Sequence, residues 1–340
     1  GFVLEQALLN QLLAGEVTES ARSAERLVYL AAEHRLANLV LVARDFRRGG
    51  YAAALKRLQE RGDSFHPLIG DLLTVWAAEG ASQPEAADAA LTALGEDGLE
   101  GVMRGYHGAL LALLRGQPET AAQKLAHVRT GLGARSTAMI LAEGAALEMA
   151  GRTDEARMLY AEFAGDRDID SAAARLASGE APPLPVADPE EGAADVLFTM
   201  AGLIGREGDS RSAIAHARLA VYLQPDLEAA TLMIASRFSG EGNHELAART
   251  LAAIPADSAN AVRAEIGRAE ALEALERRDE AVALMQRLRD AHPADPDVAI
   301  TLGDVLRRGE DWAPCADAYD AAIALLAERD RESWVLYYQR

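Results

Sequence analysis

The 340-residue chain holds one cysteine, Cys315. A single thiol excludes an internal disulfide and a cysteine-based zinc site. Aromatic residues are only 5% of the chain, so a core has to rest on small and aliphatic side chains. Turn-bounded runs rich in valine, isoleucine and threonine are missing, which argues against a sheet. No apolar run reaches the ~18 residues of a membrane-spanning helix. The opening stretch, GFVLEQALLNQLLAGE, lacks the basic start and cleavage site of a secretory signal and reads as an amphipathic helix. Basic residues are in deficit, 34 against 53 acidic ones, for a formal charge of −19. Binding phosphates requires a basic face, so nucleic acid is not an expected partner. Anionic membrane surfaces are disfavoured for the same reason, and a mild preference for basic partners is implied.

Catalytic signatures are missing as well. No HExxH, GxSxG, Walker-type loop or GxGxxG occurs. The histidines (His34, His66, His107, His127, His216, His244 and His292) do not cluster. His107 and His127 share a repeat, but two helix-surface histidines explain them better than a metal pair. No catalytic, cofactor-binding or metal-binding residue is expected, and the chain reads as non-enzymatic. The acids Asp188, Glu190 and Glu191 read as a solvated loop.

What is present is alanine, the best intrinsic helix former, and a period. Ala213, Ala247, Ala281 and Cys315 are 34 residues apart, and Ala213 and Ala247 each stand five residues after a glycine, Gly208 and Gly242. Twelve residues before each anchor lies another small residue: Ala201, Ala235, Ala269 and Gly303. Each unit therefore holds two helices, each thin where the other crosses it. Pro225 and Pro293 end second helices, because proline lacks the N–H and clashes with the preceding turn. Upstream the anchors read Ser20, Ala54, Ala86, Ala121 and Ala156, with spacings of 34, 32, 35 and 35.

The pattern resembles the tetratricopeptide repeat, a 34-residue helix–turn–helix unit. In the last full unit the match is carried by Leu302, Gly303, Leu306, Cys315, Tyr319 and Ala322. The expected fold is all-α: a right-handed superhelical solenoid of antiparallel helix pairs, with nine repeats and a final half repeat. Residues 1–165 form a degenerate array. Residues 166–192 form a short helix and an extended segment holding Pro182, Pro183, Pro185 and Pro189, which either links two sub-arrays or is a loop on one continuous superhelix. Residues 193–340 form a second array. Its end, RESWVLYYQR, places Trp334, Leu336, Tyr337 and Tyr338 as the first helix of a tenth unit. That face is a candidate terminal interface, covered by a further stretch of chain or by another subunit in an oligomer.

The resemblance also supplies a binding face. In such repeats the residue three before the first small position faces the concave groove. Leu141, Phe198, Leu232, Ile266 and Ile300 occupy that place, as do Leu39 and Tyr106; Glu5 and Asp71 are polar exceptions. The row either pads contacts between neighbouring first helices or forms an apolar floor for a partner polypeptide. The lysine–asparagine clamp by which some members hold a peptide carboxylate is absent at Phe198/Gly202, Leu232/Ser236, Ile266/Glu270 and Ile300/Asp304. The resemblance thus implies a non-catalytic scaffold or adaptor binding a protein or peptide in its groove. The alternatives are a structural assembly subunit with permanent contacts and an enzyme on a helical frame. The last third resembles exported proteobacterial repeat proteins, including adaptors of carboxy-terminal processing proteases. That implies a periplasmic or outer-membrane-associated location, with the cytoplasm as the alternative.

Overall fold

The computed structural model describes residues 1–131 and 136–327. Among these the chain forms nineteen α-helices, one short 3-10 turn and no strands. The helices are α1 (Phe2–Ala14), α2 (Val17–Leu30), α3 (Arg35–Arg47), α4 (Tyr51–Glu60), α5 (Pro67–Gly80), α6 (Pro84–Ala93), α7 (Gly98–Leu114), α8 (Pro118–Gly131), α9 (Thr137–Met149), α10 (Thr153–Glu162) and α11 (Arg167–Ser178). After an extended connection come α12 (Pro189–Arg206), α13 (Ser210–Leu223), α14 (Glu228–Gly240), α15 (His244–Leu251), α16 (Ala261–Ala274), α17 (Arg278–Ala291), α18 (Pro296–Arg308) and α19 (Trp312–Ala327). Trp334, Leu336, Tyr337 and Tyr338, the expected terminal interface, lie outside the described residues.

Nine tetratricopeptide-like helix pairs result, with α11 unpaired. One backbone feature recurs in all nine. The turn between the two helices holds a residue of positive φ: Gly15, Gly49, Ser82, Gly116, Gly151, Gly208, Gly242, Glu276 and Glu310. Glycine enters this left-handed region without a Cβ penalty, whereas Ser82, Glu276 and Glu310 do so under strain of ~1–2 kcal/mol. Five residues after each stands a buried anchor in the second helix. Ala213, Ala247 and Ala281 are fully buried and Cys315 nearly so. The third unit corrects the sequence register. Its turn residue is Ser82 and its buried anchor is Ala87, while Ala86 is only half-buried. With Ala87 as the anchor the neighbouring spacings become 33 and 34 residues.

The first small position explains the thinness of the crossings. A Cβ on Gly144 would fall 2.2 Å from the Tyr160 hydroxyl oxygen, and one on Gly303 would fall 2.6 Å from a Tyr319 ring carbon. Each tyrosine fills the space its glycine leaves and ends in a hydrogen bond, to Glu148 at 2.8 Å and to Asp304 at 2.7 Å. Ala247 is fully buried at its own crossing. Ala247→Leu is expected to lose ~1–3 kcal/mol by overpacking, read by urea unfolding; a neutral result would mean that the crossing is loose.

The chain forms two compact units, Gly1–Pro225 and a second from Asp226. From the sequence, 166–192 is either a break between arrays or a loop on one superhelix. The short helix and extended segment are there, but they do not divide the chain. In the first unit α12 packs on α5 and α3, and α13 packs on α1, α3 and α2. The pair beyond the prolines therefore lies against the first helices of the earlier repeats. In the second unit α14 to α19 pack in sequence order, with α16 also touching α18.

Candidate functional site

Two faces built from first helices are candidates for recognition. In the first unit the face comprises α3, α5 and α7, and α12 occupies it. The acids that read as a solvated loop start this helix. Asp188 accepts from the Glu191 N–H at 2.9 Å, and Glu191 accepts from the Ala187 N–H at 2.6 Å. Asp188 thereby satisfies a donor that the helix start leaves free, while Glu191 holds the residue before the cap. Glu190 reaches back to Arg47 of α3 at 3.0 Å. Ala193, Ala194 and Val196 are fully buried. Gly192 rests on the indole of Trp76, where a Cβ would come within 2.2 Å of the ring.

At the centre of this contact lies a polar cluster. The Trp76 Nε1–H donates to His107 Nδ1 at 3.3 Å, and the Tyr106 hydroxyl donates to Asp195 Oδ1 at 3.3 Å. Because an indole N–H can only donate, His107 Nδ1 is the acceptor, and the proton of the neutral ring sits on Nε2. His107 Nε2 faces Asp195 Oδ2 at 3.8 Å, beyond hydrogen-bond reach, and neither atom has another hydrogen-bond partner. His107 is fully buried, and Asp195 keeps 19% of its side-chain surface. Burial holds the imidazole down at about 3 and pushes the Asp195 carboxyl up to about 7. Burial, and then the neighbouring carboxylate, carry the Tyr106 hydroxyl well above its usual value. An imidazole with so little proton affinity is a poor general base near neutrality. The cluster's evident use is to fix α12 in one register. His127, which shares a repeat with His107, is exposed on α8, whereas His107 is fully buried. Among the described residues no group of three or more histidine, cysteine or acidic side chains is placed to hold a metal.

Leu39 and Tyr106 are buried in the first unit, and Leu141 on α9 is half-buried. Phe198 is half-buried on α12, the helix that fills the face rather than one that lines it. Leu232, Ile266 and Ile300 belong to the second unit. Each is half-buried on a successive first helix: α14, α16 and α18. Leu232 packs beside Ala235, Leu251 and Ala264, whereas Ile266 and Ile300 border the larger core around Ala281, Leu302 and Tyr319. The five expected groove residues are thus split between two compact units.

On the second unit's face acids flank the apolar row. Glu270 is exposed on α16, and Asp304 on α18 keeps 30% of its surface. Asp304 is fixed by the Tyr319 hydroxyl and lies 3.7 Å from Arg307. Behind them the nearly buried Glu273 pairs with Arg308 of α18 and with Arg278 of α17 at 3.6 Å. One carboxylate of α16 thereby ties three helices together, its two arginine partners staying half in water.

Sequence reasoning missed Trp76, Gly192 and Asp195. One signal was available: a lone acid inside the apolar run GAADVLFTM, on a helix otherwise buried on that side.

No family model matches the chain, and no curated protein does. Solved helical-repeat structures show some likeness. MamA residues 41 to the end from Desulfovibrio magneticus RS-1 is 18% identical, covering 58% of this chain and all of that one, at a TM-score of 0.36. The tetratricopeptide domain of P58(IPK) is 15% identical over 89% of this chain and 98% of that one, at 0.26. The TPR2AB domain of yeast Sti1, in complex with an HSP90 peptide, is 13% identical over 71% and 99%, at 0.29. The architecture of this chain stands on its own helix pairs, nine turns in one phase.

Proposed function

We propose that this protein is a non-catalytic scaffold that binds a partner polypeptide along the first-helix face of its second unit. The observation that carries the reading is the row Leu232, Ile266 and Ile300. Three successive first helices leave an apolar side chain half in water at the same place. Among the described residues of the second unit no other helix packs across them as α12 does in the first. Buried completely, such side chains stabilise by ~1.5–3 kcal/mol each, so a partner that covers them gains affinity. Glu270 and Asp304 beside the row favour a partner whose apolar positions are flanked by lysine or arginine, in keeping with the charge of −19. The finer form of the proposal, a periplasmic or outer-membrane-associated adaptor for a processing protease, draws support from sequence resemblance alone; fractionation of the native cell tests it.

The partner is accessible by co-purification from the native cell and mass spectrometry. Against that partner, the double variant Leu232→Asp, Ile266→Asp is expected to bind at least about tenfold more weakly while its helical circular dichroism is unchanged. Unchanged affinity in a folded double variant would mean that the row only pads the contact between first helices.

A further inference from the structure

We propose that the α3–α5–α7 face of the first unit is a helix-binding site and that its occupant is this chain's own α12–α13 pair, a ligand supplied in cis. The proposal concerns a different face from the one assigned above and stands apart from it. Three observations carry it. The pair is reached through an extended, proline-bearing connection, residues 179–188, exposed at Glu180, Ala181, Pro183 and Leu184 and pinned by the buried Val186. Having crossed it, the chain packs most strongly on α5, α3 and α1, helices that precede it by more than a hundred residues.

The contact is layered like an interface between two proteins, with an apolar seat, a central anchor and a charged rim. Gly192 sits on Trp76 with no room for a methyl group. Asp195 supplies the anchor, meeting Tyr106 on one oxygen and facing His107 with the other. At the rim Arg47 pairs with Glu190 and donates to the Leu223 carbonyl at 3.5 Å, spanning both ends of the pair, while Arg211 donates to Asn10 at 3.4 Å.

The anchor is also the wrong choice for stability alone. A buried carboxyl opposite an imidazole that it does not reach is inferior to an apolar pair of the same size. What it adds is selectivity. A helix offering glycine and, three residues on, an acid fits the Trp76 seat and gives the Tyr106 hydroxyl its acceptor; a helix without the acid leaves that buried hydroxyl unsatisfied. The kind of partner that fits this face is therefore a helix with a small-residue stripe and one buried acid, and any second polypeptide of that kind has to displace α12.

The test uses the full chain with a specific protease site placed in 180–184. After cleavage, size-exclusion chromatography and native mass spectrometry read whether the two pieces stay together, and circular dichroism reads their helicity. The nicked wild-type chain is expected to run as one species, and added peptide 189–223 is expected to displace the resident pair. In nicked Gly192→Leu the pieces are expected to part, with affinity weaker by about a hundredfold or more, the N-terminal piece keeping its helices. If the nicked wild-type chain falls apart at once, the face does not hold the pair, and if the N-terminal piece unfolds on separation, the pair is ordinary core; either result overturns the proposal. It fails equally if the peptide displaces nothing, or if nicked Gly192→Leu holds together as tightly as wild type.

Discussion

Asp195→Asn is expected to stabilise the protein above neutrality and to leave it unchanged in acid. The ordinary carboxyl value of 3.8 is raised to about 7 by burial in the folded chain. Below 3.8 both states carry the proton, and the carboxyl has no effect on stability. Between 3.8 and 7 the unfolded chain gives the proton up while the folded chain keeps it, so stability falls as pH rises. Above 7 both are ionised and the penalty stays constant, at ~4 kcal/mol for a shift of this size. The difference in unfolding free energy between variant and wild type isolates this group. It should be near zero at pH 3.5, grow through pH 5 and 6, and level off by pH 8. Urea titrations at these pH values, followed by tryptophan fluorescence, check it. Parallel profiles for the two proteins would refute the buried carboxyl. His107 acts with the opposite sign: its ordinary value of 6.5 is lowered to about 3, so stability is lost as pH falls through that interval. In the wild-type chain the two slopes oppose each other over much of pH 4 to 6.5. In the variant the histidine slope stands alone, and stability should climb by ~1.4 kcal/mol per pH unit across that range.

Trp76→Ala should be the most damaging single substitution in the first unit, with an expected loss of ~3–5 kcal/mol. The indole is fully buried, serves as the seat for Gly192 and gives His107 Nδ1 its donor. Removing it opens a cavity and leaves the imidazole nitrogen unsatisfied at once. Trp76→Phe keeps much of the packing and loses the hydrogen bond, so ~1–2 kcal/mol is expected. Thermal melts of both variants by circular dichroism separate the two contributions. An alanine variant no worse than the phenylalanine one would show that α12 does not depend on this seat.

The helix pairs were legible because their cause is local. A small residue at each crossing and a left-handed turn five residues before the anchor repeat along the chain, and Ala213, Ala247, Ala281 and Cys315 stand where the period puts them. The slip at Ala86 for Ala87 has a local cause too, since adjacent alanines differ only in which side of the helix they face. The division of the chain was not legible. Prolines 182 to 189 announce an extended segment, but whether the next helix pair continues the stack or turns back on it depends on surfaces far away in sequence. Gly192 gains its meaning only from Trp76, and Asp195 only from Tyr106 and His107. For the same reason Phe198 read like Leu232: the spacing is identical, and only the fold assigns Phe198 to the occupying helix.

The glycine–tyrosine crossings make the order in which mutations can accumulate directional. Gly144 with Tyr160 and Gly303 with Tyr319 each divide one fixed volume between two helices, whereas the equivalent pairs Ala235 with Leu251 and Ala269 with Met285 divide it more evenly. A lineage moving from the first arrangement to the second cannot begin at the glycine, because the new methyl would land inside the ring. It has to shrink the tyrosine first, pass through a cavity-bearing intermediate, and only then enlarge the glycine. Reversal has to retrace those steps backwards. Alignments of descendants should therefore contain the small–small intermediate at these positions and lack the large–large one.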